Sequence, residues 1–298
     1  MKQIAILIIT ASILASCKTT KKSEVNQSNS LTLNHSIMNL KEHATKFLTA
    51  VATYDDKTVA TFLPENHVQH NPNLKDGKQP FVDFMSVLKE NQVKLSPVRL
   101  FQDGNYIITQ AIADNAQPFG AEKMVIFDIW KFDNAGKLVE HWDCMQANTP
   151  PNSSGRTLTD GSTEVVDIEK TGENKKIIGE FITKATQATK PEDLGLLINT
   201  YFNPEFKQHN PGAGDGINGM FEGFQNGGLG FSFTKLHQVF GEGNFVLTVS
   251  EGTNFGTPSA FYDLFRLEDG KIVEHWDIIQ DIPENSANTN TMFNFPQQ

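Results

Sequence analysis

The octapeptide Gly136-Lys137-Leu138-Val139-Glu140-His141-Trp142-Asp143 recurs as Gly270-Lys271-Ile272-Val273-Glu274-His275-Trp276-Asp277. Working outward, Phe127-Asp128-Ile129-Trp130-Lys131-Phe132 recurs as Tyr262-Asp263-Leu264-Phe265-Arg266-Leu267. Asp103-Gly104-Asn105-Tyr106 recurs as Glu242-Gly243-Asn244-Phe245, and His70-Asn71-Pro72 with Asp76-Gly77 as His209-Asn210-Pro211 with Asp215-Gly216. Four matches in one order make the chain a tandem duplication. The period is about 135 residues, long enough for each copy to be a whole domain rather than a solenoid unit.

Both copies carry the same element signals. Leu40, Ala44, Phe47, Leu48 and Val51 recur at helical spacing within 37–54, as do Ile177, Ile178, Phe181, Ile182 and Ala185. Shorter helices are expected over 57–63 and 191–201, and a third over 77–91 in copy one. Strands are expected over 98–102 and 106–113, around the Asp103-Gly104 turn. Two more, 124–132 and 138–146, flank Asn134-Ala135-Gly136. Helices followed by antiparallel hairpins make the class α+β. The expected division is a signal segment over 1–16, a lipidated Cys and tether over 17–36, a domain over 37–148, a linker over 149–172 and a domain over 173–298. The tail after Asp281, with Met292, Phe293 and Phe295, is expected to pack along the second domain.

The N-terminus reads as export machinery. A short basic start, Met1-Lys2-Gln3, precedes an apolar stretch from Ile4 to Leu14, too short for a stop-transfer helix. Leu14-Ala15-Ser16-Cys17 resembles the lipobox of bacterial lipoproteins, which implies cleavage before Cys17, its lipidation and attachment to a bacterial membrane on the periplasmic or cell-surface side. With Cys17 so used, Cys144 alone remains and no intramolecular disulfide can form. The net charge of −10, without a basic stripe, argues against a nucleic-acid partner.

Alternation along the closing strand puts His141 and Asp143 on one face, and likewise His275 and Asp277, with Glu140, Trp142, Glu274 and Trp276 on the other. Asp128 and Asp263 interrupt otherwise apolar strands. A carboxyl in an apolar cavity has a raised pKa and suits acid–base work, with a neighbouring His as second proton carrier. The same pattern also fits a structural hydrogen bond, with the strand Asp facing solvent and His-Asn-Pro serving only as a turn. A His67/His70/His141/Asp143 metal set is disfavoured because Phe206 stands at the His67 position of copy two, and no metal-ligand spacing motif occurs. No metal or cofactor is expected. Cys144 is matched by Ile278 and no Gly-x-Ser-x-Gly is present, so covalent catalysis is unsupported.

Gln69-His70-Asn71-Pro72, the Asp-Gly that follows and the Val-Glu-His-Trp-Asp hairpin resemble SnoaL-like, polyketide cyclase-like proteins of the nuclear transport factor 2-like superfamily. The resemblance implies two tandem cone-shaped barrels, each a curved antiparallel sheet wrapped around three N-terminal helices and enclosing an apolar pocket. It further implies Asp143 and Asp277 as acid/base with His141 and His275 beside them. His70, Asn71, Asp128 and Trp142, with His209, Asn210, Asp263 and Trp276, would contact the substrate, a small apolar carbonyl compound turned over in aldol-type lyase or isomerase chemistry. A non-catalytic ligand-binding or scaffold lipoprotein using the same pockets is the other reading. Residues 115–122 differ from 253–260, which leaves room for one active and one structural copy. Such domains pair through their sheets, so the two copies are expected to pack as an intrachain pseudo-dimer.

Overall fold

The computed structural model describes residues 39–295. The signal segment, Cys17 and the tether lie outside the described residues. The described residues form one compact unit.

The first repeat opens with α1 (Leu40–Ala52) and α2 (Asp56–Phe62). Asn39 caps α1 by accepting from the Glu42 amide at 3.3 Å, and Asp55 caps α2 by accepting from Thr58 at 3.0 Å. A short strand β1 (Val68–Gln69) leads to α3 (Lys78–Glu90), then to β2 (Lys94–Asp103), β3 (Tyr106–Asp114), β4 (Lys123–Phe132) and β5 (Leu138–Ala147). The second repeat retraces this order as α4 (Thr171–Ala185), α5 (Pro191–Tyr201), β6 (Phe202–Gln208), α6 (Gly216–Gln225), β7 (Phe231–Glu242), β8 (Phe245–Asn254), β9 (Thr257–Glu268) and β10 (Lys271–Asp281). Each repeat thus has three α-helices against a five-stranded sheet, ordered β1-β5-β4-β3-β2 and β6-β10-β9-β8-β7. The α+β cone architecture read from the sequence is the one present.

The sheets are mixed rather than wholly antiparallel. β1 runs parallel to β5, and β6 parallel to β10. The residues before His-Asn-Pro are already extended, and the helix and three strands that follow give the chain length to return in the same direction.

Both faces of each sheet are buried. One face covers its own helices: Phe47, Phe81 and Trp130 in the first repeat, Phe181, Phe206 and Phe265 in the second. The outer faces meet in one cluster drawn from both sheets, with Tyr106, Trp142 and Cys144 against Phe240, Tyr262 and Trp276. Two reciprocal hydrogen bonds bridge β5 and β10: the Met145 amide donates to Gln280 Oε1 at 2.8 Å and the Ile279 amide to Gln146 Oε1 at 2.9 Å.

The tail packs along the second repeat as expected, where Phe293 stacks on His237 at 4.5 Å, but its path is not confined to that repeat. It also runs over the first repeat, where the Ala287 amide donates to Pro72 O at 2.7 Å and Phe295 stacks on Trp142 at 4.5 Å. The reason is that the outer sheet face, where its apolar side chains must be buried, is shared by both repeats.

Candidate active site

The register of the central hairpins sets the chemistry. Asp128 lies directly opposite Asp143, and Asp263 opposite Asp277. Directly opposed residues share a face, so each site holds two carboxyls side by side, an arrangement unfavourable when both are ionised. His141 and His275, two residues earlier on β5 and β10, project from the same face.

In the second repeat these groups form the floor of a narrow cavity of about 40 Å³ walled by Phe181, Phe202, Phe231, Phe233, Phe261 and Phe265. It opens into a mouth of about 690 Å³ between α5, α6 and the start of β7. Gln208, Asn210, Asp263, His275 and Asp277 are its polar lining.

Each polar group is oriented by a partner. Gln208 Oε1 accepts from the Asn210 amide at 3.0 Å, which fixes the amide so that Oε1 also accepts from His275 Nδ1 at 2.9 Å. His275 Nε2 then donates to Asp263 Oδ1 at 3.1 Å. Asn210 Oδ1 accepts from the Gly212 amide at 2.7 Å, an Asx turn, so Nδ2 must donate to Asp277 Oδ2, at 2.6 Å. Asp277 Oδ1, Asp263 Oδ2 and the neighbouring Thr248 Oγ1 are buried without partners.

The first repeat repeats the geometry. His141 bonds Gln69 Oε1 at 3.0 Å and Asp128 Oδ1 at 3.1 Å, and Asn71 Nδ2 donates to Asp143 Oδ2 at 2.6 Å. Two contacts differ. Gln69 Nε2 donates to His67 Nε2 at 3.1 Å, where Gln208 is instead held by the Asn210 amide. Trp130 Nε1 donates to Thr109 Oγ1 at 3.1 Å, and that hydroxyl donates to Asp128 Oδ2 at 3.4 Å. Phe265 stands in place of Trp130 in the second repeat and has no donor to offer.

Protonation follows from burial. Burial raises Asp277 and Asp143 to about 6 each, against the opposing pull of the His charge and the Asn hydrogen bond. In the first repeat burial also raises Asp128 to about 7 and lowers His141 to about 4, favouring a neutral pair. In the second, burial again works against the imidazolium, but the Asp263 hydrogen bond and the charges of Asp277 and Asp263 outweigh it and raise His275. The histidine is thus shifted down in the first copy and up in the second.

Asp263, His275 and Asp277 bring ligand-type atoms within 4.8 Å of one another, as do Asp128, His141 and Asp143, a nitrogen/oxygen set of the kind that suits a divalent cation. The hydrogen bonds described use each set as a proton-sharing cluster. The set weighed from the sequence does not assemble. His67 Nδ1 donates to Leu138 O at 2.9 Å, and His70 faces the other side of the sheet.

Four sequence candidates leave the pocket altogether. Trp142 and Trp276 point into the core between the sheets, on the face opposite Asp143 and Asp277. His70 stacks on Trp142 at 4.5 Å and its Nε2 reaches Glu140 at 3.0 Å; His209 stacks on Trp276 at 4.6 Å and its Nε2 reaches Glu274 at 3.0 Å. Strand alternation is the reason: Gln208 and Asn210 point inward, so His209 points outward. The same period identifies the residue that the sequence reading passed over, the Gln two positions before each Asn.

Residues 180–275 match the SnoaL-like domain model. The second repeat is a SnoaL-like domain. Solved structures similar to part of the chain include a protein of Shewanella denitrificans OS-217 named as a SnoaL-like polyketide cyclase (16% identity over 36% of this chain and 90% of that one, TM-score 0.31). Others are an NTF2-like protein of unknown function from Cytophaga hutchinsonii ATCC 33406 (13% identity, 37% and 91%, TM-score 0.32) and TsrD from Streptomyces laurentii (17% identity, 36% and 87%, TM-score 0.32). No curated protein matches the chain. Around the SnoaL-like domain, the first repeat supplies a second copy of the same fold and the same polar cluster.

Proposed function

We propose that the SnoaL-like second repeat binds an uncharged, apolar carbonyl compound and moves a proton on it without a cofactor, in lyase or isomerase chemistry of the aldol type. We further propose that a lipid on Cys17 holds the protein at a bacterial membrane. The observation that carries the chemistry is the pair of opposed, buried carboxyls with His275 at the floor of a phenylalanine-walled cavity.

Asp277, with Oδ2 held by Asn210 and Oδ1 free, is the base that takes a proton from the carbon beside the carbonyl. His275, held between Gln208 and Asp263, supplies a proton toward the developing oxyanion. The Phe walls exclude water and leave the two proton carriers as the strongest polar partners. No Lys or Arg lines this inner cavity, which disfavours a carboxylate or phosphate ligand.

The second repeat is the acting one for two reasons. Three of its cluster oxygens lack partners, against Asp143 Oδ1 alone in the first repeat, where Thr109 and Trp130 serve Asp128. Its mouth is also open. In the first repeat Tyr54 Oη donates to Val93 O at 2.7 Å, and at the 134-residue offset the second repeat has Ala188, which lines its mouth and offers no such bridge.

Solvent-deuterium exchange at the α-carbon of apolar ketones, followed by NMR, tests the reading. The protein should accelerate exchange, and Asp277→Asn should lose about 10²-fold or more of that acceleration while still binding the ketone. Ketone binding with no acceleration in the unsubstituted protein would leave a binding module and remove the catalytic assignment.

A further inference from the structure

The linker and the tail are a fifth pair of matched segments. Arg156-Thr157-Leu158 and Asn290-Thr291-Met292 stand 134 residues apart, the same offset as the closing hairpins. Leu158 and Met292 both enter the core between the sheets. Thr157 O accepts from His209 Nδ1 at 2.8 Å and Thr291 O accepts from His70 Nδ1 at 2.6 Å. Each segment follows one repeat in the chain and lies on the His-Asn-Pro turn of the other.

The contacts are dense at that turn. Asn152 is buried; its Nδ2 donates to Gln208 O at 2.7 Å and to Asn210 O at 3.2 Å. Arg156 clamps Asp215 through Nε and Nη2, and Asp215 Oδ1 accepts from the Gln208 amide at 3.0 Å. Gly161 lets the segment pass, since a Cβ there would overlap Glu274 Oε1 and crowd the His209 ring. On the other repeat, Asn288 Nδ2 donates to Asn71 O and Leu74 O, each at 2.7 Å, and Asn290 Nδ2 donates to Gln69 O at 2.9 Å and Asp76 Oδ1 at 2.8 Å. Asp76 Oδ1 in turn accepts from the Gln69 amide at 2.8 Å.

We propose that Asn152 and Arg156 are positioning residues for the second repeat's site, and that Asn288 and Asn290 are their counterparts for the first, so that each polar cluster is held in register by a strap belonging to the other repeat. The strap touches neither Asp277 nor His275. It acts through the backbone of Gln208 and Asn210, whose side chains set the orientation of His275 and the free oxygen of Asp277. The inference rests on the functional reading only in treating those side chains as part of a working site.

Titration of Asp277 and Asp143 by carboxyl-carbon NMR in the full chain tests it. Asn210 donation favours ionised Asp277, so loosening the turn should raise that midpoint. Asn152→Ala should raise Asp277 by about one pH unit and leave Asp143 in place, and Asn288→Ala should do the reverse. The milder Arg156→Gln, at a partly exposed side chain, should move Asp277 alone in the same direction if Asn152→Ala does not fold. An unmoved Asp277 in Asn152→Ala or Arg156→Gln, or equal movement of both carboxyls, overturns the proposal, because general loosening would not distinguish the two sites. Failure of the ketone exchange experiment would remove the chemistry and leave this crossed pattern unaffected.

Discussion

Asp277 and His275 set opposite limits on pH. Asp277 must be ionised to act as base, so the ketone exchange rate should climb as pH rises through about 6. His275 must be protonated to donate, so the rate should fall again once pH passes its raised midpoint. The profile is a bell. Asp263 supports both limits, since its charge raises Asp277 and its hydrogen bond raises His275. In Asp263→Asn both limbs should move to lower pH, the alkaline one by about one unit or more. A profile of Asp263→Asn that overlays the parent would sever the His275–Asp263 pair from the chemistry. Asp263 was visible in the sequence only as a charge interrupting an apolar strand. Its place opposite Asp277 depends on register, which local residue order does not encode.

At the scale of elements, the repeats differ where they open. In the first, eight residues, 115–122, join β3 to β4, and within them the one-turn 3-10 helix Gln117–Phe119 brings Phe119 against Phe84 at 5.7 Å. In the second, Phe255-Gly256 alone join β8 to β9. Tyr54 adds the bridge from the end of α1 to the start of β2. Tyr54→Ala should therefore open the first repeat. Titration with an apolar fluorescent probe should pass from one binding site per chain to two, and an unchanged stoichiometry would show that the bridge is not what closes the repeat. The helices and long strands were readable from apolar periodicity and turn residues, and their observed ends fall within a few residues of expectation. The parallel strands β1 and β6 were not, because Val68–Gln69 is too short to show a period and Phe202–Gln208 is interrupted by Pro204.

For the whole molecule, the shared outer-face core explains why these strands are apolar on both sides. Trp142 and Trp276 are fully buried, as are Tyr262 and Cys144, although none of them faces a helix of its own repeat. A SnoaL-like sheet standing alone would expose that face to water, at roughly 25 cal/mol for each Å² of apolar surface. The second repeat covers the first instead, and the straps cross the same boundary. The proposed attachment to a membrane is also a property of the whole chain. Cys17→Ser should abolish incorporation of labelled fatty acid and release the protein from the membrane fraction; undiminished labelling would place the lipid elsewhere or remove it from the account.

Duplication, α+β class, helix order and the same-face pairing of His with Asp were written in the residues, because repeats, apolar periodicity and strand alternation are properties of neighbours along a chain. Only the tertiary structure brought Asp263 opposite Asp277, turned His209 and Trp276 away from the cavity, and laid the linker and tail across each other's partner repeat. Those outcomes depend on strand register and on which apolar face must be hidden from water, and both are decided between segments far apart in sequence.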